Sequence, residues 1–283
     1  MRAGRQRQII IPMLAGTLVL LAATGQVAAG GSEQEGFESH QAEILDWRAR
    51  RHKRLTAEDG YLAQVGLEWL EEGENRIGRV ASSDIRIAGG PEEWGSVFVD
   101  GDQVKFKPKP GAGIEIDGRA AIETRLSTDE EGDPTVVRAG NLSFYVIERS
   151  GYALRIKNTR APGLLDFRGV DNYDIQEDWR IGGRFTRSAD GQTIEIANVL
   201  GQINHMPVFG TYEFEREGGL QSLIALGEEG DESLWFLFAD RTSGRETYGA
   251  GRFLYSEGMP ENGRLTVDFN KAYNPPCAFT PYA

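Results

Sequence analysis

Hydrophobic residues recur at every second position over most of the chain. Val104 and Phe106, Ile114 and Ile116, Leu154 and Ile156, Ile194 and Ile196, and Leu265, Val267 and Phe269 each alternate with polar neighbours. A strand sends successive side chains to opposite faces, so this pattern predicts strands with one face in a core and one in water. Asp100-Gly101, Asp117-Gly118 and Asp190-Gly191 fall between such segments; dipeptides of this kind tolerate positive φ and predict hairpin turns. Leu234-Trp235-Phe236-Leu237-Phe238 is apolar throughout, which predicts a strand buried on both faces. One stretch follows a different period. From Phe37 to about Arg54, Ile44, Trp47 and Arg51 fall on one helical face, with Leu55 following. Glu35, Glu38 and Glu43 come early, and Arg48, Arg50, Arg51, Lys53 and Arg54 come late, the order that complements a helix dipole. The basic run reads as a solvated helix end.

No later stretch has a convincing helical period. The expected fold is mainly β: an N-terminal helix followed by one or two antiparallel β-sandwich or barrel units. Ala161-Pro162-Gly163 is a breaker cluster and Asp171-Asn172-Tyr173-Asp174 reads as loop. They divide a first β-sandwich over 55–160 from a second β unit over 165–283, with one continuous sandwich as the alternative.

The first thirty residues stand apart. Arg2, Arg5 and Arg7 precede an apolar run from Ile9 to Ala23, and Val27-Ala28-Ala29 supplies small residues for a peptidase. That is the layout of a secretory signal over residues 1–29, cleaved near Ala29. The run is shorter than the roughly 20 residues that span a bilayer, so no membrane span is expected after cleavage. Residues 30–36 are a polar, Gly-rich lead-in to the helix at 37–54. The expected location is exported, periplasmic or extracellular.

Charge sharpens this picture. The 283-residue chain carries a formal charge of −12, and loss of the three signal arginines takes it to −15. Such a surface repels nucleic acid and anionic headgroups, so neither is an expected partner. Cys277 is alone, so no internal disulfide can form. One Cys and three scattered His (His40, His52, His205) argue against a zinc site, and no cofactor motif stands out. Asp129-Glu130-Glu131-Gly132-Asp133 lacks the spacing of a calcium loop and reads as solvated loop. The strand aromatics Trp94, Tyr145, Tyr212 and Trp235 read as core.

Two segments carry the candidate chemistry. In 238–254 an apolar strand runs into a polar loop and then a Tyr/Arg-rich strand; 268–279 combines charged, amide and aromatic groups with Pro275-Pro276-Cys277. If the two meet, Asp240, Thr242, Ser243, Arg252, Asp268, Asn270 and Asn274 supply fixed polar groups, and Tyr248 and Tyr273 supply apolar walls. The ligand expected is small and polar, anionic at Arg252. A hydrolase is the alternative, with Asp240 or Asp268 activating water, or Ser243 attacking with His205 as base. Gly-x-Ser-x-Gly is absent around Ser243. A third reading pairs Asp240 and Asp268 with Arg241, Arg245 or Arg252 in a network that only locks the fold.

Trp47-Arg48, Gly66-Leu67-Glu68-Trp69-Leu70, Asn75-Arg76-Ile77-Gly78, the run from Asp240 to Arg252 and the run from Asp268 to Phe279 resemble the motifs of the family catalogued as domain of unknown function (DUF) 1684, over roughly 45–283. The resemblance implies no established activity. It also implies a second Cys and a Pro-rich tail beyond Ala283, which leaves open whether Cys277 pairs. Asn75-Arg76-Ile77-Gly78-Arg79, Ser83-Asp84-Ile85 and Gly95-Ser96-Val97-Phe98 are similar to the opening of forkhead-associated (FHA) phosphopeptide-binding domains. That family's Ser-x-x-His is missing, and Asp117-Gly118 stands where Asn-Gly is expected, so Arg79 is read as structural.

Overall fold

A computed structural model describes residues 27–197 and 202–282, and of residues 27–35 only the helical backbone. The expected signal sequence up to Gln26 lies outside the described residues. Helix α1 (Val27–Leu55) begins ten residues earlier than the spacing predicts, so the lead-in at 30–36 is helical rather than irregular. Its Gly30, Gly31 and Gly36 lower helix propensity without forbidding the helix. The expected inner face holds: Ile44 and Leu55 are buried.

Period-two alternation becomes eleven strands between residues 64 and 158: β1 (Gln64–Trp69), β2 (Gly73–Gly78), β3 (Ile85–Arg86), β4 (Glu93–Asp100), β5 (Gln103–Pro108), β6 (Glu115–Ile116), β7 (Arg119–Ala120), β8 (Thr124–Arg125), β9 (Val137–Ala139), β10 (Leu142–Glu148) and β11 (Tyr152–Asn158). They form a six-stranded sheet, β1-β11-β10-β9-β6-β7, and a five-stranded sheet, β3-β2-β4-β5-β8. Inward residues of both sheets make one apolar cluster, in which Trp94 and Phe106 of one sheet meet Phe144 of the other at ring separations of 5.5 and 5.6 Å. Two expected turns are hairpins. Gly101 (φ 58°) joins β4 to β5, and Asp117 (φ 47°) with Gly118 (φ 75°) joins β6 to β7. Arg79, highlighted by the FHA-like pattern, is ion-paired with Glu92 at 2.8 Å on the surface.

Between the two halves, Pro162 does not break the chain into loop. It opens a one-turn helix, α2 (Pro162–Leu165), because a first-turn proline needs no N–H donor and already has helical φ. Among the described residues, the second half has seven strands: β12 (Arg180–Arg187), β13 (Thr193–Ala197), β14 (Ile203–Arg216), β15 (Gly219–Leu226), β16 (Trp235–Phe238), β17 (Arg252–Tyr255) and β18 (Arg264–Asp268). Their order is β17-β16-β15-β14-β12-β18, with β13 also on β14. Asp190-Gly191 is therefore not a hairpin. β12 and β13 lie one after the other along the same edge of β14, and Gly191 (φ 77°) serves a jog between them. Positive φ suits a bulge as well as a turn, so the dipeptide alone does not distinguish them. In β16 the alternation is also sharper than expected: Leu234 and Phe236 are fully buried, while Trp235, Leu237 and Phe238 are half-buried. Tyr212, Phe236, Leu254 and Val267 centre a second apolar cluster. Among the described residues, no helix is long and apolar enough to cross a membrane.

Candidate functional site

The loop after β16 closes through Asp240. Its Oδ1 accepts the Thr242 backbone N–H at 2.8 Å and the Thr242 hydroxyl at 2.5 Å, an Asx-type turn that fixes the loop locally. The Ser243 hydroxyl accepts the Asp240 N–H at 3.1 Å, and the Thr242 and Thr247 hydroxyls lie 3.0 Å apart. The other Asp240 oxygen takes the Arg252 guanidinium from the first residue of β17. Burial by itself raises the Asp240 pKa; the Thr242 hydrogen bonds and the Arg252 charge outweigh it, and the net direction is down.

Arg252 is only 12% exposed, with its guanidinium 4.9 Å from the centre of the Phe238 ring. The next residue joins the second segment. Phe253 and Tyr273 exchange both backbone hydrogen bonds, at 2.8 and 2.9 Å, and the Tyr248 N–H donates to Asn274 Oδ1 at 3.0 Å. The two segments thus meet at Phe253–Tyr273 and at Tyr248–Asn274.

Asp268 belongs to a separate hydrogen-bonded set. It is fully buried, and its Oδ1 accepts the Asn270 N–H at 3.0 Å and the Asn270 amide at 2.8 Å. Asn270 in turn clamps the backbone of Gln176 in both directions, at 3.0 and 2.8 Å. Lys271 lies 2.6 Å from Glu43, 3.6 Å from Glu257 and 4.0 Å from Asp268. Asp240 and Asp268 therefore answer to different partners. So do Ser243 and His205: the histidine lies on β14, 4.0 Å from Glu195 across the ladder to β13.

The helix supplies groups that the charge pattern had assigned to a solvated end. Arg48 donates to the Tyr173 carbonyl at 3.0 Å, and the Tyr173 hydroxyl donates to Glu246 at 2.8 Å. The Arg51 guanidinium sits 4.0 Å from the centre of the Tyr273 ring and donates to the Asn274 carbonyl at 2.5 Å. Trp47 packs on the same ring at 5.9 Å. Burial lowers the pKa of Arg48, against the attraction of Asp174 and Asp268, and lowers that of Arg51 to about 10. Burial likewise pushes the Tyr273 hydroxyl up to about 12. The buried Nε groups of Arg48, Arg51 and Arg252 have no acceptor within the protein. Burial and the hydrogen bond to Glu246 raise the pKa of the Tyr173 hydroxyl, against the opposing effects of Thr242 and Arg252. One signal for these helix residues was present: Arg51 falls on the Ile44–Trp47 face, where a purely solvated arginine has no reason to be.

Residues 165–283 match the model of the family described as protein of unknown function (DUF1684), the family that the 240–252 and 268–279 motifs resemble. The motifs between Trp47 and Gly78 lie ahead of the matched residues. No curated protein matches the chain. Among solved structures, the chain is similar to the solution NMR structure of an uncharacterized protein of Haloarcula marismortui, at 27% identity and a TM-score of 0.35. The match covers 41% of this chain and 66%, just under two thirds, of that one.

Proposed function

We propose that this chain is an exported protein that binds a small anionic ligand where α1 and the 240–252 and 268–274 segments meet. The observation that carries the reading is the set of three arginines, Arg48, Arg51 and Arg252, whose buried Nε–H donors lack a protein acceptor. An unsatisfied buried donor is costly, and a guanidinium answers best to a carboxylate or phosphate that accepts two parallel hydrogen bonds. The surrounding protein is strongly acidic, so a large polyanion is repelled while a small anion meets the local cations. The half-buried Tyr248 and Tyr273 supply the apolar surroundings that strengthen such a contact.

A second role falls to the carboxylates. Asp268 is fully buried and spends its Oδ1 on Asn270, which holds Gln176; these residues position the site rather than touch the ligand. The hydrolytic reading is weaker, because Asp240 gives its oxygens to Thr242 and Arg252 and the Ser243 hydroxyl already accepts a backbone N–H.

Thermal melting of the full chain in inorganic phosphate and in citrate tests the ligand class. The native protein is expected to melt several degrees higher in at least one of them, the Arg252→Lys variant to lose that shift, and Arg241→Ala, on the exposed loop, to keep it. An equal shift in Arg252→Lys refutes the site. Export rests on the Arg2–Ala29 pattern and is tested by N-terminal sequencing of the secreted product; a chain starting at Met1 contradicts it.

A further inference from the structure

A second feature lies apart from these arginines. Beside β12 and the middle of β14, the loops at 227–231 and 258–263 wall an open hollow of about 520 Å³. Phe185, Phe209, Met259 and Pro260 line its apolar part, and Arg187, Glu229 and Asp231 supply its charges. The two rings lie 6.0 Å apart at 39° and are buried beneath the hollow, 7% and 5% exposed. Over Phe209, 3.6 Å from the ring centre, sits the guanidinium of Arg187, which also pairs with Glu229 at 3.0 Å. Asp231 is held in its loop by accepting the Glu228 N–H at 2.8 Å.

We propose that this hollow is a binding site for a small organic cation, a guanidinium or alkylammonium, and that Arg187 is its internal tenant. The face of an aromatic ring attracts cations through its quadrupole, and the attraction grows when water is excluded. Arg187 shows that a guanidinium fits between the Phe209 face and the Glu229 carboxylate. Its stem comes from an edge residue of the hollow and its side chain is half exposed, so it can swing into water at little cost. A ligand cation then takes the same ring and the same carboxylate. The balance of charge around the floor, one arginine against two carboxylates, leaves net negative charge when Arg187 moves aside. This site shares no residue with the proposed anion site, so either can fail without the other.

The test uses the full chain and two probes, agmatine and choline, with the Met259 methyl resonance as local reporter. Saturable shifts of that resonance are expected for native protein. Binding to Arg187→Ala is expected to be about tenfold tighter, because no internal cation must be displaced. Adding Glu229→Gln to Arg187→Ala is expected to weaken it several-fold. Both residues are exposed, so the fold survives these changes, which the melting temperature verifies. Absence of a saturable shift in Arg187→Ala overturns the proposal. It is also overturned if 3,3-dimethylbutan-1-ol, the uncharged analogue of choline, binds as tightly as choline, since the hollow then takes apolar bodies irrespective of charge.

Discussion

The two apolar clusters treat charge in opposite ways. In the sandwich of β1–β11, Trp94, Phe106 and Phe144 are sealed among aliphatic side chains, and ion pairs such as Arg76–Asp84 and Arg79–Glu92 lie outside in solvent. Around the sheet of β12–β18, the apolar centre of Tyr212, Phe236 and Leu254 runs directly into charge: Asp268 is 0% exposed and Lys271 16%. Removing a charge from water costs several kcal/mol unless partners replace the hydration. Stability alone favours the first arrangement. The second region accepts the cost at Asp268, Lys271, Arg252, Arg48 and Arg51, and this is why we look there for function.

The comparison breaks most visibly through single substitutions. Trp94→Ala removes the largest fully buried side chain of the sandwich and is expected to cost about 3–5 kcal/mol in urea unfolding; a loss below about 1 kcal/mol on the same scale shows that this cluster does not carry the fold. Asp268→Ala deprives Asn270 of its acceptor and is expected to cost about 3 kcal/mol, with Asp268→Asn restoring much of it because an amide oxygen still accepts. A neutral Asp268→Ala makes the buried network dispensable. Double-mutant cycles sharpen the contrast further. Coupling between Asp240 and Arg252 is expected near 2 kcal/mol, against less than about 1 kcal/mol for the exposed Arg79–Glu92 pair; equal values erase the distinction between the regions.

The smallest effect is one of pH. The Asp240 pKa is lowered in the folded chain, so its contribution is present above the unfolded carboxylate value of about 4 and is lost as pH falls through the lower folded value. The stability gap between native protein and Asp240→Asn is expected to stay constant from about pH 7 to 5 and to close below about pH 4. Since the carboxylate is partly exposed, solvent screening keeps the pH-dependent part under about 1 kcal/mol. A gap that persists unchanged into strong acid contradicts the assigned hydrogen bonds.

Local patterns carried much of the architecture. Alternation at Val104/Phe106 and Leu154/Ile156 marks strands because a half-buried strand needs it, and Asp117-Gly118 marks a hairpin because few other residues accept two positive φ values in succession. Asp190-Gly191 misled for the same reason, since a jog in one edge strand uses the same backbone freedom. Pro162 reads as a breaker in sequence but is equally suited to a first helical turn. The acidic run at Asp129 is mostly exposed, as its composition suggests, but its carboxylates are also paired: Asp129 and Glu130 with Arg149, and Glu131 with Arg125. The proposed anion site is half legible in the sequence. Asp240, Arg252 and Tyr273 stand out by composition, while Arg48 and Arg51 were masked by a dipole argument that explains any basic helix end. Only the fold brings Arg51 onto Tyr273.

The most direct measurement follows the arginine Nε–H resonances of the full chain by NMR during titration with inorganic phosphate. The account predicts that the signals of Arg48, Arg51 and Arg252, assigned by single Arg→Lys substitutions, shift together and saturate at one common concentration, while that of exposed Arg241 stays in place. Signals that move independently, or that drift no further than Arg241, contradict a shared anion site.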